Sequence, residues 1–339
     1  MTTFNEGTDV RSDDALEQLL KKASPRPVPS QQDEAAVRSA VKAEWRSVTG
    51  KRRVRRNVFQ YALAATVLLG VFALFSMFRV PVVEVVEVAL IEKSFGAIYL
   101  LGEEAELRET AELSSVYSGQ TIVTGNDAGL ALTWGKGGSL RVDENSRVAF
   151  TSDSDILLES GRIYFDSQPS PLVAGITTGG SPEFTVVTEH GEVRHTGTQF
   201  MTRAGSNELV VSVREGQVAI DGLYYEHTAA PGEQVTMTGR QRPTVLSIGR
   251  SGQGWDWVAR TSPPVDVDGR TIRVFLEWAC RELGLELRYE GGAEPVANRE
   301  LLIGTVDIEP ADALRLRLAS AALDYRIEEG VLYVSDTNL

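Results

Sequence analysis

The sequence predicts a mainly β protein, a roll, sandwich or solenoid of short strands. A small α+β domain follows it, and one transmembrane helix with a short helical segment precedes it. Three observations predict this. From Pro81 to about residue 248, short β-branched runs alternate with glycine turns. From residue 264 onward the apolar period switches between helix and strand. Residues 58–78 carry no charge at all. The implied boundaries are a helical segment over 1–57, a membrane helix over 58–78, a β domain over 79–248, a linker over 249–263 and an α+β domain over 264–339.

The charge distribution fits that division. The 339-residue chain has a net charge of −13. Residues 1–57 hold 12 Lys and Arg against 8 Asp and Glu, whereas residues 79–339 hold 22 against 39. A basic segment joined to a strongly acidic one indicates two environments. The acidic part lacks the basic face that phosphate binding needs, so nucleic acid is not an expected partner.

Before the membrane run, Leu16, Leu19, Leu20 and Ala23 form a helical stripe, with Ser12 as cap and Lys21 and Lys22 in the last turn. Pro25, Pro27 and Pro29 break it. Ser30 caps a second helix carrying Val37, Val41, Trp45 and Val48, which Gly50 ends. Two such narrow stripes cannot make a core of their own. Either the segment folds on a partner, or it is a loosely helical stalk without one.

Val58 to Phe78 is long enough to cross a hydrocarbon core about 30 Å thick. Eleven of its 21 residues are Leu, Val or Phe, worth together roughly −3 to −6 kcal/mol of insertion free energy. Lys51, Arg52, Arg53, Arg55 and Arg56 precede it and Arg79 alone follows. Basic flanks stay inside, so these five residues set the topology: N-terminus cytoplasmic, C-terminal domains periplasmic, in the plasma membrane. With 57 residues before the run and no small-residue cleavage site after it, the run reads as an uncleaved anchor.

Predicted strands in the β region include Val82–Val88, Gly96–Leu101, Gln120–Thr124, Gly129–Trp134, Ser139–Val142, Ile156–Glu159, Arg162–Asp166, Phe184–Thr188, Gln199–Arg203, Leu209–Arg214 and Gln217–Ile220. Gly135-Lys136-Gly137-Gly138 supplies a turn, and Gly161, Gly191, Gly205 and Gly216 punctuate others. Pieces of this region follow one another in a recognisable order: Leu132-Thr133-Trp134, Gly138 through Val148, Gly161-Arg162-Ile163-Tyr164-Phe165-Asp166, Phe184 through Thr188, Gly197-Thr198-Gln199-Phe200, Val211 through Glu215-Gly216-Gln217-Val218, and Pro231-Gly232-Glu233-Gln234. The series, over roughly residues 90–240, resembles the FecR family of membrane-anchored regulators. Gly161, Tyr164, Phe165, Gly197, Thr198, Phe200, Glu215 and Gly216 carry it, as structural positions rather than catalytic ones.

In the last domain, Val265–Val267 reads as a strand and Thr271–Leu283 as a helix stopped by Gly284. Strands are predicted at Leu285–Tyr289 and Leu301–Ile308, a helix at Pro310–Leu323, and a hairpin from Tyr325–Ile327 and Val331–Val334 around Glu328-Glu329-Gly330. The pieces Leu283-Gly284-Leu285 and Leu323-Asp324-Tyr325 resemble the STN module of secretins and TonB-dependent receptors.

The search for chemistry yields no catalytic, metal or cofactor site, and the chain does not read as an enzyme. Glu189-His190 and His195 flank a turn, but two imidazoles without a third ligand do not define a metal centre. Cys280 is the only cysteine, in an apolar helical run, and reads as a buried small hydrophobe.

The FecR resemblance implies an anti-sigma factor or sigma regulator, which holds an extracytoplasmic-function sigma factor through its inner segment. Its periplasmic part would sense state outside, in contact with a partner such as a TonB-dependent transporter. Leu16, Leu19, Leu20, Val37, Val41 and Trp45 would then face the sigma factor. The alternative is an envelope binding or scaffold protein whose β domain takes a polysaccharide or protein ligand, with no cytoplasmic partner. Both readings need the predicted orientation. A reporter active only outside the cytoplasm is expected to work when fused after Leu339 and to be silent after Gly50; the opposite pattern overturns the topology.

Overall fold

The computed structural model describes residues 17–22, 30–46, 85–101, 107–109, 114–168, 172 and 184–336. It divides into two compact units, Met1–Val82 and Val83–Leu339.

In the first unit, helices span residues 17–22 (α1) and 31–46 (α2). Ser30 caps α2 as its sequence predicts. Its Oγ accepts the Asp33 N–H at 3.2 Å and donates to the Asp33 carboxylate at 2.6 Å, closing a reciprocal cap. Ser12, Leu16, the proline link, the five basic residues and the 58–78 run all lie outside the described residues. Among the described residues, no helix is long and apolar enough to cross a membrane.

The second unit opens with fifteen strands in one hydrogen-bonded sheet. They are β1 (Glu87–Phe95), β2 (Ile98–Leu101), β3 (Leu107–Glu109), β4 (Ser115–Tyr117), β5 (Thr121–Thr124), β6 (Gly129–Trp134), β7 (Ser139–Val142) and β8 (Arg147–Phe150). After these come β9 (Asp155–Asp166), β10 (Thr185–Thr188), β11 (Gly191–Ala204), β12 (Leu209–Gly222), β13 (Glu226–Ala229), β14 (Glu233–Met237) and β15 (Thr244–Ser247). Gly129–Trp134 and Ser139–Val142 match their predicted bounds, and the glycine-rich turn lies between them as expected. Of the first predicted strand, Val82–Val88, residues 82–84 lie outside the described residues, and β1 begins at Glu87 with Val85 and Val86 exposed before it.

Three strands are longer than the sequence suggests, and their length makes the fold. Ile156–Glu159 and Arg162–Asp166 are one strand, β9; Leu209–Arg214 and Gln217–Ile220 are one strand, β12; and Gln199–Arg203 is the second half of β11. Gly161 and Gly216 therefore do not end strands. They bend them, with φ of +94° and +75°, and Gly197 bends β11 with φ of +62°.

Each bent strand changes neighbours at its bend. The first half of β9 lies between β8 and β10, its second half between β7 and β11. Strand β12 pairs β14 before Gly216 and β13 after it. A single sheet thereby becomes two facing layers. The back layer runs β3-β2-β5-β8-β9-β10-β11-β12-β13, and the front layer runs β15-β14-β12-β11-β9-β7-β6-β1-β4. Of the three architectures the sequence left open, the structure is the sandwich.

The inward residues of both layers form one core. Leu132, Leu140, Phe165, Phe200 and Val213 of the front layer share it with Ile122, Val148, Phe150, Ile156, Leu158, Val186 and Ile220 of the back layer. Phe184 stacks on Phe165 at 3.9 Å between ring centroids, and meets Trp134 edge-on at 5.0 Å. The bends are held by side chains that take the backbone groups the ladder releases. Ser146 Oγ accepts the Arg162 N–H at 2.9 Å. The Thr198 N–H donates to Ser167 Oγ at 2.7 Å.

Residues 249–263, read as a linker, are packed. They contain a 3-10 turn at Gln253–Trp255 and the helix α3 (Asp256–Arg260), and they bury Trp255, Trp257 and Val258. The α+β module follows: β16 (Val265–Asp266), α4 (Ile272–Leu283), β17 (Glu286–Tyr289), α5 (Ala293–Arg299), β18 (Thr305–Val306), α6 (Pro310–Ser320), β19 (Leu323–Glu328) and β20 (Val331–Asp336). One sheet is β16-β18, the other β17-β20-β19. Gly284 ends α4 in the left-handed region, as expected.

Three details of the module differ from the sequence reading. Helix α5 was missed; Pro295 lies in its first turn, where the missing N–H would have no helical partner anyway. The strand Leu301–Ile308 shrinks to Thr305–Val306 plus a bridge from Leu301 to Thr271. Helix α6 stops at Ser320, and Leu323 already belongs to β19.

The bends make a direct test. A Cβ on Gly161 would collide with Ser146, and one on Gly216 with the Gly197 carbonyl, each at a φ that L residues avoid. Gly161→Ala is expected to destabilise the sandwich by about 1–3 kcal/mol in urea denaturation, while Gly254→Ala, in open space, stays within about 0.5 kcal/mol of wild type.

Candidate functional site

Alternation along the front-layer strands puts one set of residues in the core and the other on the outer face. Strand register aligns that outer set in two rows. One row is Ala131, Arg141, Tyr164, Met201 and Ser212; the next holds Thr133, Ser139, Asp166 and Gln199, with Arg214 beside them two residues beyond Ser212. A solvated sheet would expose this face. Here Thr133, Ser139, Arg141, Tyr164, Asp166, Gln199, Ser212 and Arg214 are all buried. Segment 249–263 and the C-terminal end of α4 cover them.

The cover is held chiefly by ions. Arg141 is 1% exposed and grips Glu282 of α4, itself 5% exposed, through two guanidinium nitrogens at 2.7 and 2.9 Å. Its Nη1 also donates to the Val258 carbonyl at 2.6 Å. Arg281, one residue earlier on α4, supplies the cation to the neighbouring strand. It makes a second fork to Asp166, at 2.6 and 2.9 Å, and donates to Glu215 at 2.9 Å on the rim. Gln199 Nε2 supports the Asp166 carboxylate at 3.0 Å.

Arg214 completes the cluster by donating to the Arg250 carbonyl at 2.7 Å and to the Glu282 carbonyl at 3.1 Å. The last carbonyls of a helix carry partial negative charge, so the front layer meets α4 with cations where the helix is negative. Between the charges lie rings. Tyr164 sits under both Arg141 and Arg214, Trp255 under Arg214, and Trp257 under Arg162. Tyr164, Trp255, Trp257 and Val258 form a small apolar cluster of their own.

Burial and charge pull in opposite directions on these groups. Burial opposes the Arg141 cation, but the charge and hydrogen bonds of Glu282 more than offset it and hold its pKa above the usual value. Arg281 is likewise raised, with Asp166 overcoming burial. Burial dominates for Arg214 and lowers its pKa. Burial, with help from Asp166, pushes the Tyr164 phenol well above its ordinary range.

The FecR-pattern residues all fall in this architecture. Gly161, Gly197 and Gly216 are the bends, Phe165 and Phe200 are core, Thr198 is buried at the bend of β11, and Tyr164 and Glu215 touch the cover. The sequence did not single out Arg141, Arg214, Asp166, Arg281 or Glu282 as a group. A signal existed: in Gly129–Trp134 and Ser139–Val142 the outward positions beside Arg141 hold Ala131, Thr133 and Ser139, small residues suited to a covered face.

The candidate inner-segment residues are laid out differently. Leu19, Leu20, Val37, Val41 and Trp45 are 62–69% exposed; Leu16 lies outside the described residues. His190 and His195 do not converge on a common site. His190 Nε2 contacts the Gly205 carbonyl at 2.9 Å, whereas His195 stacks near Phe200 and Phe165. Among the described residues, no group of three His, Cys, Asp or Glu is placed to hold a metal ion. Cys280 is buried in the module core as predicted, and burial pushes its thiol pKa up to about 12.

A β sandwich bent at Gly161, Gly197 and Gly216 is the region that a family model recognises: residues 120–219 match the FecR protein family. The chain thus carries a FecR-family domain. No curated protein matches it. Two crystal structures of a proposed anti-sigma factor from Parabacteroides distasonis ATCC 8503 match at 17% identity, covering 64% of this chain and 99% of theirs. Their TM-score is 0.33, a superposition too loose to carry an argument.

Proposed function

We propose that this chain is a membrane-spanning regulator of the FecR type. It holds an extracytoplasmic-function sigma factor inside the cell and responds to a periplasmic or outer-membrane partner outside. The FecR-family domain carries the reading. It is supported by the charge-free run with a one-sided basic flank ahead of that domain. On this reading Lys51, Arg52, Arg53, Arg55 and Arg56 anchor the inner side. The STN-like C-terminal module belongs to the outer side, where a TonB-dependent transporter is the candidate partner.

The inner stripe suits a docking role. Val37, Val41 and Trp45 recur every fourth residue along α2, so they share one face of the helix, and all three are exposed. A capped amphipathic helix with its apolar face outward is the usual shape of a helix that docks in a groove.

A pull-down of residues 1–56 against each sigma factor of the organism tests the proposal. Leu20→Asp and Trp45→Ala each remove an anchor worth about 2 kcal/mol, so each is expected to weaken capture tenfold or more. Lys42→Ala is expected to change it little. Failure of the wild-type segment to capture any sigma factor defeats the proposal.

A further inference from the structure

The covered face of the front layer joins two bodies with separate cores, save that Leu172, between β9 and β10, is buried in the module's. The sandwich core and the module core are separate clusters, and the small cluster around Tyr164, Trp255 and Trp257 lies between sandwich and segment 249–263. That segment is fastened to the sandwich. Trp257 Nε1 donates to Met201 Sδ at 3.4 Å, Lys93 Nζ to the Ser262 carbonyl at 3.2 Å, and Arg214 lies over Trp255. From Val265 onward the chain belongs to the module. The module's charged side chains reach the sandwich through Arg281 and Glu282 at the end of α4, and α3 of the fastened segment packs against α4 and α6.

A permanent joint has no need of this chemistry. Apolar residues of similar volume in place of a buried ion pair are often neutral or stabilising, so one buried fork and one half-buried fork specify a register rather than maximise adhesion. Both faces also tolerate water when parted. The sandwich would present Arg141, Asp166 and Gln199 beside α3, and the module would present two charged side chains at the end of α4.

We infer that the C-terminal module is a releasable cap on the FecR-family domain, latched by Arg141–Glu282 and Arg281–Asp166 and tethered through Pro263 and Pro264. Opening leaves the tryptophan segment on the sandwich, parts α3 from α4 and α6, and keeps the module core, Leu172 included, together. Parting the two forks is then the conformational step by which an event at the module reaches the β domain. This inference does not depend on what the inner segment binds.

The test uses the full-length protein in detergent micelles, with Cys280→Ala and nitroxide labels at Asn207 and Glu294. These are exposed sites, one on the sandwich and one on the module. Pulsed dipolar spectroscopy is expected to give one narrow distance for the wild-type latch. Glu282→Leu leaves Arg141 buried without its partner and should raise the open, broadly distributed fraction tenfold or more, while both halves stay folded by protease resistance. Arg141→Met combined with Glu282→Leu replaces the fork by an apolar pair and should restore the narrow distance. Arg281→Gln, nearer the rim, should open the cap by a smaller factor without touching the module core. A narrow distance in both Glu282→Leu and Arg281→Gln overturns the latch. So does an open fraction that the apolar pair fails to reverse, because the contact would then be part of the fold.

Discussion

Everything in the outer unit follows from three strands that bend instead of ending. Because β9, β11 and β12 cross from one layer to the other at Gly161, Gly197 and Gly216, a single sheet encloses its own core. Side-chain alternation then has two consequences at once. Leu140, Phe165, Phe200 and Val213 close the inside, and Arg141, Tyr164, Gln199 and Arg214 face outward beside them. The residues that make the bends and those that face the cover belong to the same short stretches, so the fold and its docking surface cannot be separated in sequence.

The outer face gains its meaning from what covers it. Arginines on the sandwich meet the negative end of α4 and the carboxylate of Glu282, while Arg281 returns a cation to Asp166. Each buried charge is answered by an opposite charge, by backbone carbonyls or by an aromatic face. Removing one partner would strand the other in a poorly solvated site, which costs far more than the intact pair contributes. Such a contact is precise in geometry and modest in adhesion, a combination suited to a joint that opens.

Much of this was legible in the sequence. β-branched alternation located the central strands, Ser30 announced its cap, and Gly284 marked the end of α4. Gly161 and Gly216 were misread as stops, because a glycine inside a strand pattern fits a turn and a bulge equally until the neighbours are known. The ionic cluster was illegible for a related reason. Arg141 and Glu282 are 141 residues apart, and each looks like a solvated charge on its own element. Only the small outward residues Ala131, Thr133 and Ser139 hinted that the face was covered.

The central claim is that Asp166 of the FecR-family domain and Arg281 of the C-terminal module act as one unit across that face. Cys280, the only thiol and buried in the module core, reports on the module's stability, to which that unit contributes. Thiol labelling against urea concentration gives the module's unfolding free energy for wild type, Asp166→Asn, Arg281→Gln and the double variant. The account predicts a coupling energy above about 1 kcal/mol between the two sites. Effects that add to within about 0.3–0.5 kcal/mol would contradict it.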